Sequence, residues 1–181
     1  MIPELQQRFI LEANTPSDIN QHLPLMNILA KLCTHITEFG VRWGNSATVW
    51  FNNPVVFRGY DIVEFPEATE IFTLARSLGR DCALIIADTG SLQSIEQTDL
   101  LFIDSLHTYE HVKKELKLAK FVNKFIVLHD TELFGQSGED GSTPGLLQAI
   151  GEFLQEDGEW TVMEHRTFNN GLTVLTRKAL L

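Results

Sequence analysis

The sequence predicts an α/β domain whose largely parallel sheet is closed by an antiparallel pair. Three observations carry this. Short β-rich runs alternate with stretches of helical apolar spacing along most of the chain. Two of those runs, Leu-Leu-Phe-Ile at 100–103 and Phe-Ile-Val-Leu at 125–128, are apolar on both faces, as parallel strands covered by helices on both sides must be. Finally, Asn169, Asn170 and Gly171 separate two β-rich runs, 160–164 and 172–176, and these residue types tolerate the positive φ of a tight hairpin turn.

Each element follows in chain order. Thr15-Pro16-Ser17-Asp18 supplies capping residue types and a proline, marking a turn or helix entry ahead of a helix carrying Leu25, Leu29 and Leu32. Strands are expected at 36–39 and 55–60, then a helix with Ile71, Leu74, Ala75 and Leu78 on one stripe, then strands at 83–87 and 100–103. Val112, Leu116, Ala119 and Val122 predict the next helix, followed by the strand at 125–128. The runs at 100–103 and 125–128 belong in the middle of the sheet. Residues 135–145 hold four glycines, two serines and a Thr-Pro, and form the one long flexible segment. A last helix carries Leu146, Leu147, Ile150, Phe153 and Leu154 before the closing hairpin.

Composition narrows the function classes. The 181 residues carry 14 Lys and Arg against 24 Asp and Glu, a formal charge of −10, with 44% hydrophobic residues. A chain of this size buries ~70% of its unfolded surface and needs no disulfide or structural metal to hold a core. Cys33 and Cys82 show no CxxC spacing, which fits a reducing, cytoplasmic setting. So acidic a chain disfavours nucleic acid and anionic lipid, because phosphate affinity comes from Lys and Arg displacing counterions. Lys113, Lys114, Lys117, Lys120 and Lys124 fall between acidic segments and read as a solvated helix face. No apolar run approaches the ~18 residues of a membrane span.

In open α/β sheets ligands bind beyond the carboxyl ends of the strands. Here those positions are mostly acidic: Glu38 and Gly40 around the end of the first strand, Asp61 after the second, Asp88 after the third, Asp104 after the fourth, and His129-Asp130 after the fifth. Each alone could be a cap or turn residue, but five consecutive strand ends predict one acidic rim. The most specific stretch is Glu38-Phe39-Gly40-Val41-Arg42-Trp43-Gly44-Asn45-Ser46, which runs from a strand through a glycine turn into a helix start. Its G-x-x-x-G spacing is neither the dinucleotide fingerprint nor a P-loop, since no G-x-G-x-x-G and no following lysine are present.

That stretch resembles the first motif of class I S-adenosylmethionine-dependent methyltransferases, in the E-x-G-x-x-x-G-x-S form of catechol O-methyltransferase-like enzymes and of small-molecule relatives acting on cephalosporins and sugars. Residues 100–110 resemble the family's fourth-strand motif, 126–131 its fifth, and 169–175 its last hairpin. The resemblance implies a Rossmann-like, doubly wound, three-layer α/β/α sheet, with residues 1–35 as an N-terminal helical cap and 36–181 as the cofactor-binding domain. It further implies that Gly40 and Gly44 admit the methionine part of the cofactor, that Ser46 holds its carboxylate, that Asp61 bonds the ribose hydroxyls and Asp88 lies beside the adenine. Asp104 takes the place of an acid near the methionine amine or a divalent metal. Arg42 could reach the cofactor carboxylate or pair with a rim carboxylate.

The expected reaction is methyl transfer to a small-molecule acceptor, with a hydroxyl as the favoured nucleophile. His107, three residues after Asp104 where catechol-type relatives have a lysine, and His129, just before Asp130, are the candidate bases. The relatives' magnesium set maps to Asp104, Asp130 and Thr131; a histidine such as His129 in that set would suit another divalent metal better. Residues 132–144 are expected to overhang the acceptor site as a lid, and residues 17–22 could cover it from the other side. The competing expectation is a non-catalytic or regulatory domain that binds the cofactor, and a different reaction on the same fold is the third. Acceptor identity and the choice between monomer and homo-oligomer stay open.

Overall fold

The computed structural model describes residues 2–181. One seven-stranded sheet runs through it: β1 (His35–Phe39), β2 (Val56–Asp61), β3 (Cys82–Ile86), β4 (Thr98–Ile103), β5 (Val122–His129), β6 (Trp160–Arg166) and β7 (Leu172–Arg177). The spatial order is β3-β2-β1-β4-β5-β7-β6. The first five strands are mutually parallel, and β7 enters antiparallel to both β5 and β6. The expected fold class and hairpin are both present. Asn169, Asn170 and Gly171 all have positive φ at the hairpin tip, as their residue types anticipated.

Six helices cover the sheet: α1 (Pro3–Asn14), α2 (Leu23–Ala30), α3 (Ala47–Asn52), α4 (Pro66–Ser77), α5 (Tyr109–Leu116) and α6 (Leu146–Asp157). Alternation along the central strands divides the core in two. Leu100, Phe102, Phe125 and Val127 face a cluster with Trp50, Phe51, Phe57 and Phe72, which α1 and α2 complete through Leu5, Leu23, Met26 and Leu29. Leu101, Ile103, Ile126 and Leu128 face the opposite cluster, built on Val112, Leu116, Leu146, Ile150 and Trp160. Cys33 and Cys82 are buried and unbonded, and no helix among the described residues is long and apolar enough to cross a membrane.

Two helix expectations need correction. The stripe Val112, Leu116, Ala119, Val122 is buried throughout, but α5 ends at Leu116, a 3₁₀ turn occupies Lys117–Phe121, and Val122 already belongs to β5. Burial periodicity alone cannot separate a helix from a tightened turn leading into a strand. In α2 the buried residues are Leu23, Met26, Leu29 and Ala30, so Leu32 lies beyond the helix and is exposed. Helix α1 falls in the stretch expected to be helical, residues 1–35, although no apolar stripe had placed it individually.

The chain passes from β1 outward to β2 and β3, then crosses back so that β4 pairs with the other side of β1. The crevice at this reversal of strand order is where the fold can accommodate a ligand. Two backbone hydrogen bonds fix its floor: Gly40 N–H to Tyr60 O at 2.9 Å and Asp104 N–H to Phe39 O at 2.8 Å.

Candidate active site

The turn after β1 contains three left-handed residues, Gly40 (φ 86°), Arg42 (φ 49°) and Gly44 (φ 87°). A side chain at Gly40 would put its Cβ 2.0 Å from the backbone oxygen of Asp104, and one at Gly44 would come within 3.0 Å of Ile71. Gly40 is therefore demanded by the protein's own packing and Gly44 by its left-handed backbone, reasons distinct from the cofactor approach that their spacing suggested. Asp61 stabilises the same turn, accepting the Arg42 N–H at 2.8 Å and the Val63 N–H at 3.0 Å. Asp88 accepts the Gly90 N–H at 2.9 Å and so shapes the turn after β3.

Glu38 departs from the expected rim. Its side chain is fully buried beneath the turn, accepting from Ser46 Oγ and, at 2.8 Å, from Trp50 Nε1. Burial pushes its carboxyl up to about 8. Ser46 thus has its hydroxyl proton committed to Glu38. The Arg42 guanidinium lies 3.9 Å over the ring of Trp43 and has no carboxylate partner among the described residues, so the expected pairing with a rim carboxylate is not formed.

The remaining carboxylates border two adjoining cavities. One of about 640 Å³ is lined by Gly40, Tyr60, Asp61, Asp88, Asp104 and His111. The other, of about 360 Å³, has Asp18, Arg42, Ser46, Asp104, His107 and Asp130 in its wall. Gly40, Arg42, Asp104, Ser105 and Glu139 are common to both, so the cavities are continuous along the crevice.

At their junction is a compact group of charges. His107 directs Nε2 at Asp104 Oδ1 and Asp130 Oδ2, each 3.2 Å away, while its Nδ1 lies 3.1 Å from Glu139 Oε2. His129 directs Nδ1 at Asp104 Oδ1 and Nε2 at the backbone oxygen of Asp18, both at 3.1 Å. Both nitrogens of His129 face atoms that only accept, so both carry protons. Burial opposes that charge, but Asp104 and Asp130 outweigh it and raise the imidazole to about 9. His107 is raised likewise, against burial, by Asp104, Asp130 and Glu139. Asp104 responds in the opposite direction: burial would raise it, yet the two imidazoles hold it well below the usual carboxylate range. Asp130, at φ 57°, is buried with Oδ1 lacking any hydrogen-bond partner, and burial raises its carboxyl.

Asp104, His107 and Asp130 each offer one atom within 4.8 Å of the others, the spacing of a metal-binding group. Thr131 is not part of it. Its side chain is fully buried and its Oγ1 accepts from Oγ1 of Thr173, on β7, at 3.0 Å. Sequence reasoning also passed over Glu139, in a glycine-rich stretch with no local pattern to mark it, and the backbone oxygen of Asp18, which no residue type announces.

No family model and no curated protein matches the sequence. Solved structures do match, at low identity and over nearly the whole chain. A Staphylococcus aureus protein described provisionally as a caffeoyl-CoA O-methyltransferase superposes with a TM-score of 0.70 at 13% identity, over 96% of this chain and 91% of its own. The Podospora anserina methyltransferase PaMTH1, solved with S-adenosylhomocysteine, gives 0.63 at 18% identity over 98% and 89%. The N-methyltransferase NodS from Bradyrhizobium japonicum, with the same ligand, gives 0.63 at 12% identity over 96% and 98%. With the strand order, the crossover at β1 and the closing antiparallel pair, the chain has the fold of the class I S-adenosylmethionine-dependent methyltransferases.

Proposed function

We propose that the protein is an S-adenosylmethionine-dependent methyltransferase acting on a hydroxyl of a small-molecule acceptor. The observation that carries this reading is the continuous crevice leading from Asp88 and Asp61, past Gly40, to the Asp104–His107–Asp130 group. Its larger cavity falls within the ~300–1,000 Å³ typical of cofactor pockets. Asp61 keeps lone pairs free beyond its two backbone contacts and serves the ribose diol, and Asp88 serves the adenine end. Methyl transfer requires the acceptor oxygen in line with the sulfonium methyl, which puts the acceptor in the smaller cavity beside Asp104 and Asp130.

The geometry alters the expected base. An imidazole protonated on both nitrogens has no lone pair to offer, so His129 acts instead as the cation that offsets Asp104. Asp104, His107 and Asp130 suit a divalent ion, because a cation would satisfy a buried carboxylate oxygen that has no hydrogen bond and take the place of the proton that His107 Nε2 holds between the two carboxylates. His107 stands in place of the expected Thr131; its nitrogen favours a transition ion over Mg²⁺, and Mn²⁺ is the one that also suits the two carboxylates. When bound, the ion would supply Lewis-acid polarisation of the acceptor hydroxyl. Asp130 turns Oδ2 toward His107 and leaves Oδ1 without a hydrogen bond, 3.5 Å from His129 Nδ1, so one carboxylate can hold the ion and receive the acceptor's proton.

Calorimetric titration with S-adenosylhomocysteine tests the cofactor assignment. Binding is expected, with Asp61→Ala weakening it roughly tenfold or more through loss of charge-assisted hydrogen bonds. Absence of heat at millimolar ligand overturns the reading, and unchanged affinity in the variant removes Asp61 from the ribose site.

A further inference from the structure

We propose that Glu139, on the segment joining β5 to α6, is a positioning residue that aims His107 at Asp104 and Asp130, so that docking of this segment and divalent-ion binding are one coupled equilibrium. The inference rests on the metal reading above. Its basis is the way His107 is held. Phe134 stacks against the ring with centroids 5.1 Å apart and planes 20° apart. Glu139 Oε2 faces Nδ1 at 3.1 Å, and the Glu139 backbone N–H donates to the His107 carbonyl at 2.9 Å. All three contacts come from the β5–α6 segment. The opposite edge of the ring meets only the two carboxylates that would share the ion.

A half-exposed carboxylate beside a histidine is ordinarily worth little as an ion pair. This one has a directional consequence that a surface pair lacks. With Nδ1–H donated to Glu139, the neutral ring is locked in the tautomer whose Nε2 lone pair points at Asp104 and Asp130, and such outer partners set both the orientation and the basicity of a ligating imidazole. Glu139 also borders both cavities, so the residue that fixes the ring helps close the crevice. By linkage, whatever docking adds to ion affinity, the ion returns to docking by the same factor.

The test uses the full chain with Mn²⁺ alone, following the free-ion signal by electron paramagnetic resonance and backbone amide exchange across residues 134–142. Glu139→Ala is expected to weaken Mn²⁺ binding by roughly 10–100-fold. Glu139→Gln, whose carbonyl can still accept from Nδ1–H, should fall between it and the wild type. Mn²⁺ should slow exchange of the residue 139 amide in the wild type and much less in Glu139→Ala. Asp140→Asn is the charge control: Asp140 accepts from the Ser142 amide and hydroxyl, a role Asn retains, and has no contact with His107. Affinity for Mn²⁺ within twofold of wild type in Glu139→Ala, or an equal loss in Asp140→Asn, overturns the positioning role and leaves the metal site standing. Failure of the wild type to bind Mn²⁺ overturns the metal site and this inference together.

Discussion

Gly40 and Glu38 lie two residues apart and are constrained for opposite reasons. Gly40 has no room for a side chain, since its Cβ position is already taken by the Asp104 carbonyl. Gly40→Ala is expected to lower stability by more than about 2 kcal/mol, because a positive-φ strain and a backbone clash add; a thermal melt matching wild type would contradict that account. Glu38 has room but no water. Its carboxyl lies near 8 in the fold against an ordinary value of 4.5, so the native state holds a proton that the unfolded chain releases as pH rises through this window. Stability from this group therefore falls by up to about 1.4 kcal/mol per pH unit between those limits. Glu38→Gln mimics the protonated acid, and its melting temperature should gain on wild type from pH 5 to pH 8; a constant difference would mean that Glu38 is ionised throughout. The motif around these residues was legible in the sequence, but its physical roles were not. A glycine is equally silent about whether a ligand or its own chain fills the space beside it, and only the pairing of β1 with β4 reveals which.

Among elements, the strands were the most readable part of the chain. All seven lie within a few residues of their expected bounds: β4 and β5, parallel and buried on both faces, leave unbroken apolar runs, and the last two are marked by the Asn-Asn-Gly turn between them. Helix phase was less readable, as Leu32 and Val122 show, since apolar residues also appear where a helix has already ended. The two segments flanking the site could be guessed from position, though not how each is fastened. Residues 17–22 are held by the Asp18 carbonyl on His129 and by His22, whose Nε2–H donates to Asn169 O at 3.0 Å while its ring stacks on Phe168. Burial holds the His22 imidazole down to about 4, below its ordinary 6.5. The unfolded chain therefore takes up this proton first, and the contribution of His22 is complete above about 6.5 and lost as pH falls toward about 4. His22→Phe keeps the stack and cannot be protonated. It should melt below wild type at pH 7 and close the gap at pH 5; a gap independent of pH would exclude His22 as the titrating group.

For the whole molecule, the excess of 10 negative charges is only partly gathered at the crevice. Asp61, Asp88, Asp104 and Asp130 border it, whereas Glu38 is buried below, where burial raises its carboxyl to about 8. A ligand spanning those carboxylates touches the ends of β2, β3, β4 and β5 together, so it should stabilise the fold as a unit. At a hundred times its dissociation constant S-adenosylhomocysteine would contribute about 2.7 kcal/mol. For a chain of this length that is a rise of about 5–10 °C in melting temperature; calorimetric binding without any such rise would mean that the ligand occupies a site off the crevice. The contact between Gly40 and the Asp104 backbone carries one more consequence. The Asp104 carbonyl fills the space beside Gly40, so the turn after β1 and the acid–imidazole group meet backbone against backbone, with no side chain of Gly40 to vary at that contact. Under the proposed function, acceptor choice is expected to be set by the two chain segments laid over that contact, and a mutant library confined to residues 17–22 and 132–144 tests this by whether redirected substrates emerge.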